Sequence, residues 1–396
     1  MLGNGRQAHA QKYAGRVPGS ITVARILGID IRIHFSWFLI FALILLSLAD
    51  RVLPGLRPNW SDQKTYIVAV ITALLFFVSV LLHELAHAVT ARGFRMPVSS
   101  ITLFLLGGVA NLAKEPPSPL AEFLMAAAGP LASLVLGGIA LGVAFLVDAR
   151  LAFDPGLDPV GVVASYLGVI NITLAVFNMI PGFPLDGGRV LRSIVWAFRK
   201  DRSAATRIAA RGGQAVAALL LLFGIFRMIQ WNDAFGGAWS ALIAYFLYNA
   251  AGAAIQQDRT VALLGDVKVA ALMRSDIRAV AGSSTIGALV RDHVMPLNLS
   301  AVPVAEGERI VGVVTVPALR AIPQERWDAT LVRDVMTSVD ELPSLAPEDT
   351  LVVALERFSE SDLPVLPVLQ RSMLVGLLHR EALAGYLRMR ESLGLR

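Results

Sequence analysis

The sequence predicts a multi-pass α-helical membrane domain of about six transmembrane helices, followed by a smaller soluble α/β domain. Composition comes first: 55% of the 396 residues are hydrophobic and 16% charged, whereas soluble domains carry roughly 25% charged residues. Mean hydropathy is +0.63. Apolar runs then recur up to about residue 255, after which the composition turns to that of a soluble domain. The net charge of +5 and pI of about 9.7 come from basic residues beside apolar spans. Positive-inside topology accounts for them better than a nucleic-acid partner does. There is no cysteine, which excludes disulfides, Cys-ligated metals and thiol catalysis.

Residues 1–32 are polar and hold Arg6, Lys12, Arg16, Arg25 and Arg32. A signal peptide would place its apolar region nearer the start, so this stretch reads as a cytoplasmic arm. The membrane domain then occupies 33–255, with spans at about 33–49, 66–91, 120–147, 160–180, 213–230 and 238–255. Each approaches or exceeds the ~20 residues that cross a bilayer. Segments 92–119 and 181–211 are basic, whereas 148–159 holds Asp148, Asp154 and Asp158 against Arg150. The positive-inside rule puts the two basic segments, the N-terminus and everything after 256 in the cytoplasm, on a cell-membrane protein. Between the second and third spans, PVSSITLFLLGGVANL (97–112) is apolar, too short to cross twice as helix, and carries Gly107-Gly108. It reads as a re-entrant hairpin or loop, which needs shielding by protein or a cavity; a plain cytoplasmic loop is the alternative.

After a linker at 256–265, an internal repeat appears. VAALM (269–273) matches VRDVM (332–336), Pro303-Val304 matches Pro367-Val368, and VGVV (311–314) matches VGLL (375–378), all offset by 63 or 64 residues. Each copy reads as short strand, helix, two β-rich segments and terminal helix. The pattern resembles a tandem pair of CBS domains, at 266–323 and 329–387.

The chemistry centres on His83-Glu84-Leu85-Ala86-His87, late in the second span. Residues four apart share a helix face, so the two imidazoles can grip one zinc ion while Glu84 accepts a proton from a water that the metal polarises. Ionisable groups in a membrane helix cost roughly 2.5–3.5 kcal/mol each on insertion scales, and a bound cation offsets that cost. A catalytic zinc usually has three protein ligands. The best candidate for the third is Asp186 in FNMIPGFPLDGGR (177–189), which the topology places on the same side as the histidines. Pro181 and Pro184 break the helix there, and Gly187-Gly188 let the chain bend after the carboxylate. The competing reading makes Asp186 a helix cap for 189–199. The other histidines, His9, His34, His293 and His379, carry no such pattern.

HELAH at 83–87, AAGPLAS at 127–133 and N-x-x-P-x-x-P-L-D-G-G at 178–188 together resemble the site-2 protease family of intramembrane zinc metalloproteases, in the bacterial and archaeal branch with C-terminal CBS domains. The resemblance spans about 20–255 plus the repeat. It implies that His83, His87 and Asp186 bind one zinc ion per subunit and that Glu84 is the general base. It also implies that Asn178 helps position or stabilise the attacked carbonyl, interhelical hydrogen bonding being the bland alternative for that residue. The implied activity is regulated intramembrane proteolysis of transmembrane protein substrates in the lipid bilayer. A helical substrate must unwind before attack, and a hairpin at 99–112 could receive it as an added strand.

CBS pairs often bind adenosine nucleotides through a G-x-x-[ST]-x-x-D pattern. Here Gly312 and Thr315 are followed by Ala318, and Gly376 by His379 and Ala382, so the Asp is missing both times. Nucleotide binding and homodimerisation through the pair both stay open. Two readings compete for the whole chain: a transporter or channel gated by the CBS pair, and a non-catalytic binder of membrane proteins. No membrane repeat supports the first, and retention of Glu84 argues against the second.

Overall fold

The computed structural model describes residues 19–394, except 105–106, 113–114, 152–154 and positions 266, 277, 298, 308, 362 and 372. His9 and most of the N-terminal arm lie outside the described residues. The chain divides into two compact units, one of Val17–Asp258 and one containing Arg259–Arg396.

The first unit opens with β1 (Ser20–Ile26) and β2 (Ile29–His34), followed by the helical span α1 (Ser36–Leu56) and α2 (Asp62–Gly93). The hairpin β3 (Val98–Phe104) and β4 (Gly107–Leu112) comes next. Helices α3 (Pro119–Asp148), α4 (Asp158–Asn178), α5 (Asp186–Arg199), α6 (Arg202–Gln230) and α7 (Ala234–Leu264), the last as far as Asp258, complete it. All but α5 are long and apolar enough to cross a membrane, giving 6 spans among the described residues. Their starts are written in the sequence: Ser61, Ser118 and Asp201 accept hydrogen bonds from the backbone N–H groups of Lys64, Ala121 and Ala204, occupying donors that a helix end leaves orphaned.

The helices are inverted relative to a soluble protein. Ala69, Ala73, Ala88, Ala126, Ala205, Ala209 and Ala217 are buried, whereas Leu131, Phe145, Ile229 and Tyr245 are more than 60% exposed. Small residues let backbones approach closely, while large apolar ones face lipid.

Two expectations change. Residues 20–34 are not part of a polar arm ending at 32. They form a hairpin that extends β3–β4 into a four-stranded sheet of order β1-β2-β3-β4, with β2 and β3 parallel. The alternation Ile29, Ile31, Ile33 against Asp30 and Arg32 is a strand signal that the surrounding arginines obscure. Ile29, Ile31, Ile101 and Leu103 pack with Leu85 and Ala88 of α2, so the sheet lies against the helix that carries the histidines. The supposed linker 256–265 is mostly helix, because α7 continues to Leu264.

In the second unit, β5 (Val280–Ala281), β6 (Ala301–Glu306), β7 (Arg309–Thr315) and β8 (Thr337–Ser338) form one sheet, and β9 (Val365–Gln370) pairs with β10 (Met373–His379). Helices α8 (Ile286–Leu289), α9 (Val316–Arg320), α10 (Leu351–Glu360) and α11 (Arg380–Ser392) flank them. The internal repeat is structural: β6 and β9 share one burial pattern residue for residue, as do β7 and β10. The halves also interleave. Arg274 bridges to Leu377 of β10, and β8 of the second half pairs with β7 of the first. Ala301, Val313, Val365 and Leu377 form a small core shared by both hairpins.

Candidate metal centre

His83 and His87 stand one turn apart near the end of α2, and Asp186 opens α5. His83 Nε2 and His87 Nε2 lie 3.1 and 3.2 Å from Asp186 Oδ2 and 3.2 Å from each other. Donors held about 2.0–2.1 Å from a tetrahedral zinc are themselves about 3.3 Å apart, so these atoms are spaced like one face of such a site. Among the described residues this is the His/Asp/Glu group able to hold a metal ion.

The far ring nitrogens are also fixed. His83 Nδ1 is 2.9 Å from Ser133 Oγ, and His87 Nδ1 is 2.7 Å from the Met125 carbonyl oxygen. A carbonyl can only accept, so His87 Nδ1 is the donor in that contact, and Nε2 is the nitrogen turned to the centre. Such hydrogen bonds orient metal-ligating imidazoles. Between the two contacts on α3 sits Gly129, where an added Cβ would come within 2.2 Å of His87 Nε2 and 2.6 Å of His83 Nε2. Two imidazole nitrogens, a carboxylate oxygen and a space that a single methyl group would fill fit a zinc ion. The AAGPLAS stretch therefore supplies both the space and the second contact to His83, roles that the sequence did not reveal.

Asp186 does not cap its helix. Leu185 holds the N-cap position and makes no side-chain cap bond, while the Asp186 carboxylate turns to the imidazoles. Gly187 and Gly188 are helical rather than a bend. They are needed for space, since a Cβ on Gly187 would lie 2.4 Å from the Met179 oxygen and one on Gly188 would lie 2.4 Å from the Gly182 carbonyl carbon. Glu84 faces β4: a Cβ on Gly108 would be 2.5 Å from Glu84 Cγ and 2.9 Å from Oε1. Asn178 closes α4, half-buried, and among the described residues no hydrogen bond reaches its side chain. The membrane asparagine that does tie helices is Asn171, whose Nδ2 donates to Ser79 Oγ at 3.2 Å.

In the second unit, Arg274, Leu299, Ser300, His379, Glu381 and Ala382 line a cavity of about 250 Å³. Burial, reinforced by the Arg274 charge, lowers the His379 pKa below its ordinary value. His379 and Ala382 are the positions where the nucleotide pattern departs from expectation.

A histidine pair four apart on one helix, with a carboxylate closing the third position and a glutamate beside them, is a group able to hold a metal ion within a helical membrane domain. Comparison with known proteins agrees. The profile of peptidase family M50 matches residues 71–154 and 157–223, and that of the CBS domain matches 332–388. The chain is 32% identical over 345 residues to a Mycobacterium tuberculosis protein bearing the name zinc metalloprotease Rip3, covering 86% of this chain and 85% of that one. It is 31% identical over 369 residues to a Synechocystis protein also named a zinc metalloprotease, covering 92% and 94%. The solved site-2 protease from Methanocaldococcus jannaschii aligns with 60% of this chain and 95% of its own, at 29% identity and a TM-score of 0.42. The chain belongs to peptidase family M50, the site-2 proteases, and carries a C-terminal CBS domain. It is a zinc metalloprotease of the membrane.

Replacing Gly129 with Ala should drive a methyl group into the space between the imidazoles. Zinc content of the purified variant, measured by mass spectrometry, is expected to fall from about one ion per chain towards zero while the helical circular dichroism persists. Full zinc occupancy would show that the space is not needed.

Proposed function

We propose that the chain hydrolyses peptide bonds within or beside transmembrane segments of membrane-protein substrates, as in regulated intramembrane proteolysis. The convergence of His83, His87 and Asp186 beside Glu84, in a unit whose other helices are long enough to span a bilayer, carries this reading. Zinc, when bound, supplies Lewis-acid polarisation. His83, His87 and Asp186 would hold it, and Ser133 and the Met125 carbonyl keep the rings oriented. Glu84 takes the proton of the attacking water onto its carboxylate and returns it to the departing amine nitrogen. Asn178 is proposed as an N–H donor to the developing oxyanion, on family resemblance alone.

The substrate strand would be received at β4. Strand β3 is paired on both sides, by β2 and by β4, so it has no free edge. β4 ends the sheet at the side where Gly108 touches Glu84. A chain added there runs past the proposed base with its backbone donors and acceptors engaged.

Both termini and the CBS unit are proposed to be cytoplasmic: six spans return the chain to its starting side, and positive charge concentrates in 92–119 and 181–211. In this cysteine-free chain, single cysteines at Asn232 and Glu391 would then react with impermeant maleimide from opposite faces. The cavity at Arg274 and His379 is where an adenosine nucleotide would bind, which titration of the full chain with AMP and ATP reads directly.

Glu84→Gln should lower cleavage of a membrane substrate by at least about 10²-fold with zinc retained; equal cleavage would exclude Glu84 as the base. Proline at Ile101 or Leu103 would break a central strand and unfold the sheet, so the informative substitutions are Val109→Pro and Ala110→Pro on the edge strand. One of these two neighbours points its N–H outward, and its replacement is expected to raise KM with zinc content unchanged. Wild-type kinetics in both variants would remove strand addition.

A further inference from the structure

One face of α3 serves both histidines of the metal centre. Met125, Gly129 and Ser133, four residues apart in turn, meet His87, both rings, and His83 respectively. One turn earlier on that face stands Glu122, fully buried at 0% exposure. It reaches α5, the helix that begins with Asp186: Arg192 Nε donates to Glu122 Oε1 at 2.6 Å, and Nη2 bonds the same oxygen. The guanidinium also lies 5.0 Å from the Phe183 ring centroid. Phe183 is held in turn by its N–H donating to the Ala209 carbonyl at 3.1 Å. Arg192 thus touches both α3 and the loop that ends in Asp186.

A buried ion pair is a poor source of stability, because apolar residues of similar volume often do as well or better. This one is also incompletely satisfied, since Glu122 Oε2 is buried without a hydrogen-bond partner among the described atoms. Register is the use for which such a pair is best suited.

We propose that Glu122 and Arg192 are positioning residues for the metal centre: their ion pair fixes α5 against α3 so that the Asp186 carboxylate meets the two imidazoles that α3 orients. The histidines share one helix and have their own contacts on α3. Asp186 arrives from a separate helix after a proline-broken loop, so its placement depends on how α5 is docked. This inference rests on the metal-centre reading above.

The test uses full-length protein in detergent, loaded with Co²⁺ as a spectroscopic substitute for zinc. Zinc affinity is measured by chelator competition and folding by thermal melting. Wild type, Asp186→Asn, Arg192→Lys, Glu122→Gln and the charge-free double variant Glu122→Met/Arg192→Met are compared. The expected result is that the double variant melts like wild type, whereas Glu122→Gln, which leaves the Arg192 charge without its partner, stays folded with a lower melting temperature. Both should bind zinc about 10–100-fold more weakly, the range for lost outer-shell contacts, and show the altered cobalt absorption of Asp186→Asn. Arg192→Lys should recover part of both. Wild-type cobalt spectra and zinc affinity in a folded double variant would overturn the proposal. So would a lowered melting temperature with an unchanged metal site, which is the mark of a purely structural pair. Should the double variant not fold, Glu122→Gln and Arg192→Lys decide by the same two readings. A wild-type protein that binds neither Co²⁺ nor zinc would instead sink the metal-centre reading itself.

Discussion

Polar atoms buried among membrane helices have no water to turn to, and the first unit is arranged around that constraint. His83, His87 and Asp186 bring three strong donor atoms within 3.1–3.2 Å of one another. Without a cation, that crowding would strand lone pairs in an apolar bundle. With one, the same crowding is a ligand set. The outward ring nitrogens face the same problem and meet it through Ser133 and the Met125 carbonyl. The chain of partners runs from α2 through α3 to α5.

Close approach is the second requirement. Imidazoles on α2 can lie against α3 only where α3 lacks a side chain, at Gly129, and α5 can lie against the end of α4 only through Gly187. Small residues elsewhere on the buried faces, such as Ala88, Ala126 and Ala209, serve the same purpose with less strictness. Large apolar residues are correspondingly turned outward to lipid. The four-stranded sheet adds a different element: a backbone edge beside Glu84, in a unit whose other backbone groups are mostly engaged within helices.

The second unit follows its own logic. Its two halves fold as copies, yet neither is closed alone, since the opening segment of each pairs with the hairpin of the other. Interleaving of this kind makes a cavity lined from both halves, with Arg274 from the first and His379 from the second. A ligand there would contact both copies at once, which is a physical basis for sensing by such a unit.

Much of this was legible in the chain. The six spans follow from apolar length, because crossing a bilayer demands it regardless of packing. The histidine pair and its glutamate follow from helical spacing, which is local. Asp186 was reachable through charge topology, which sets the side of the membrane but not a distance. Three things were not legible. The strand character of 20–34 was masked by the charges of Arg25, Asp30 and Arg32, and its partner, β3, lies some seventy residues away. The contributions of Gly129 and Ser133 exist only once α3 is laid against α2. Glu122 and Arg192 read as ordinary charges until packing buries them together. The sequence by itself determined which groups could bind a metal and that they would sit in a membrane, because periodicity and hydropathy act along the chain. Only the tertiary structure decided how they are held, because orientation, free space and buried pairing are properties of surfaces that meet across it.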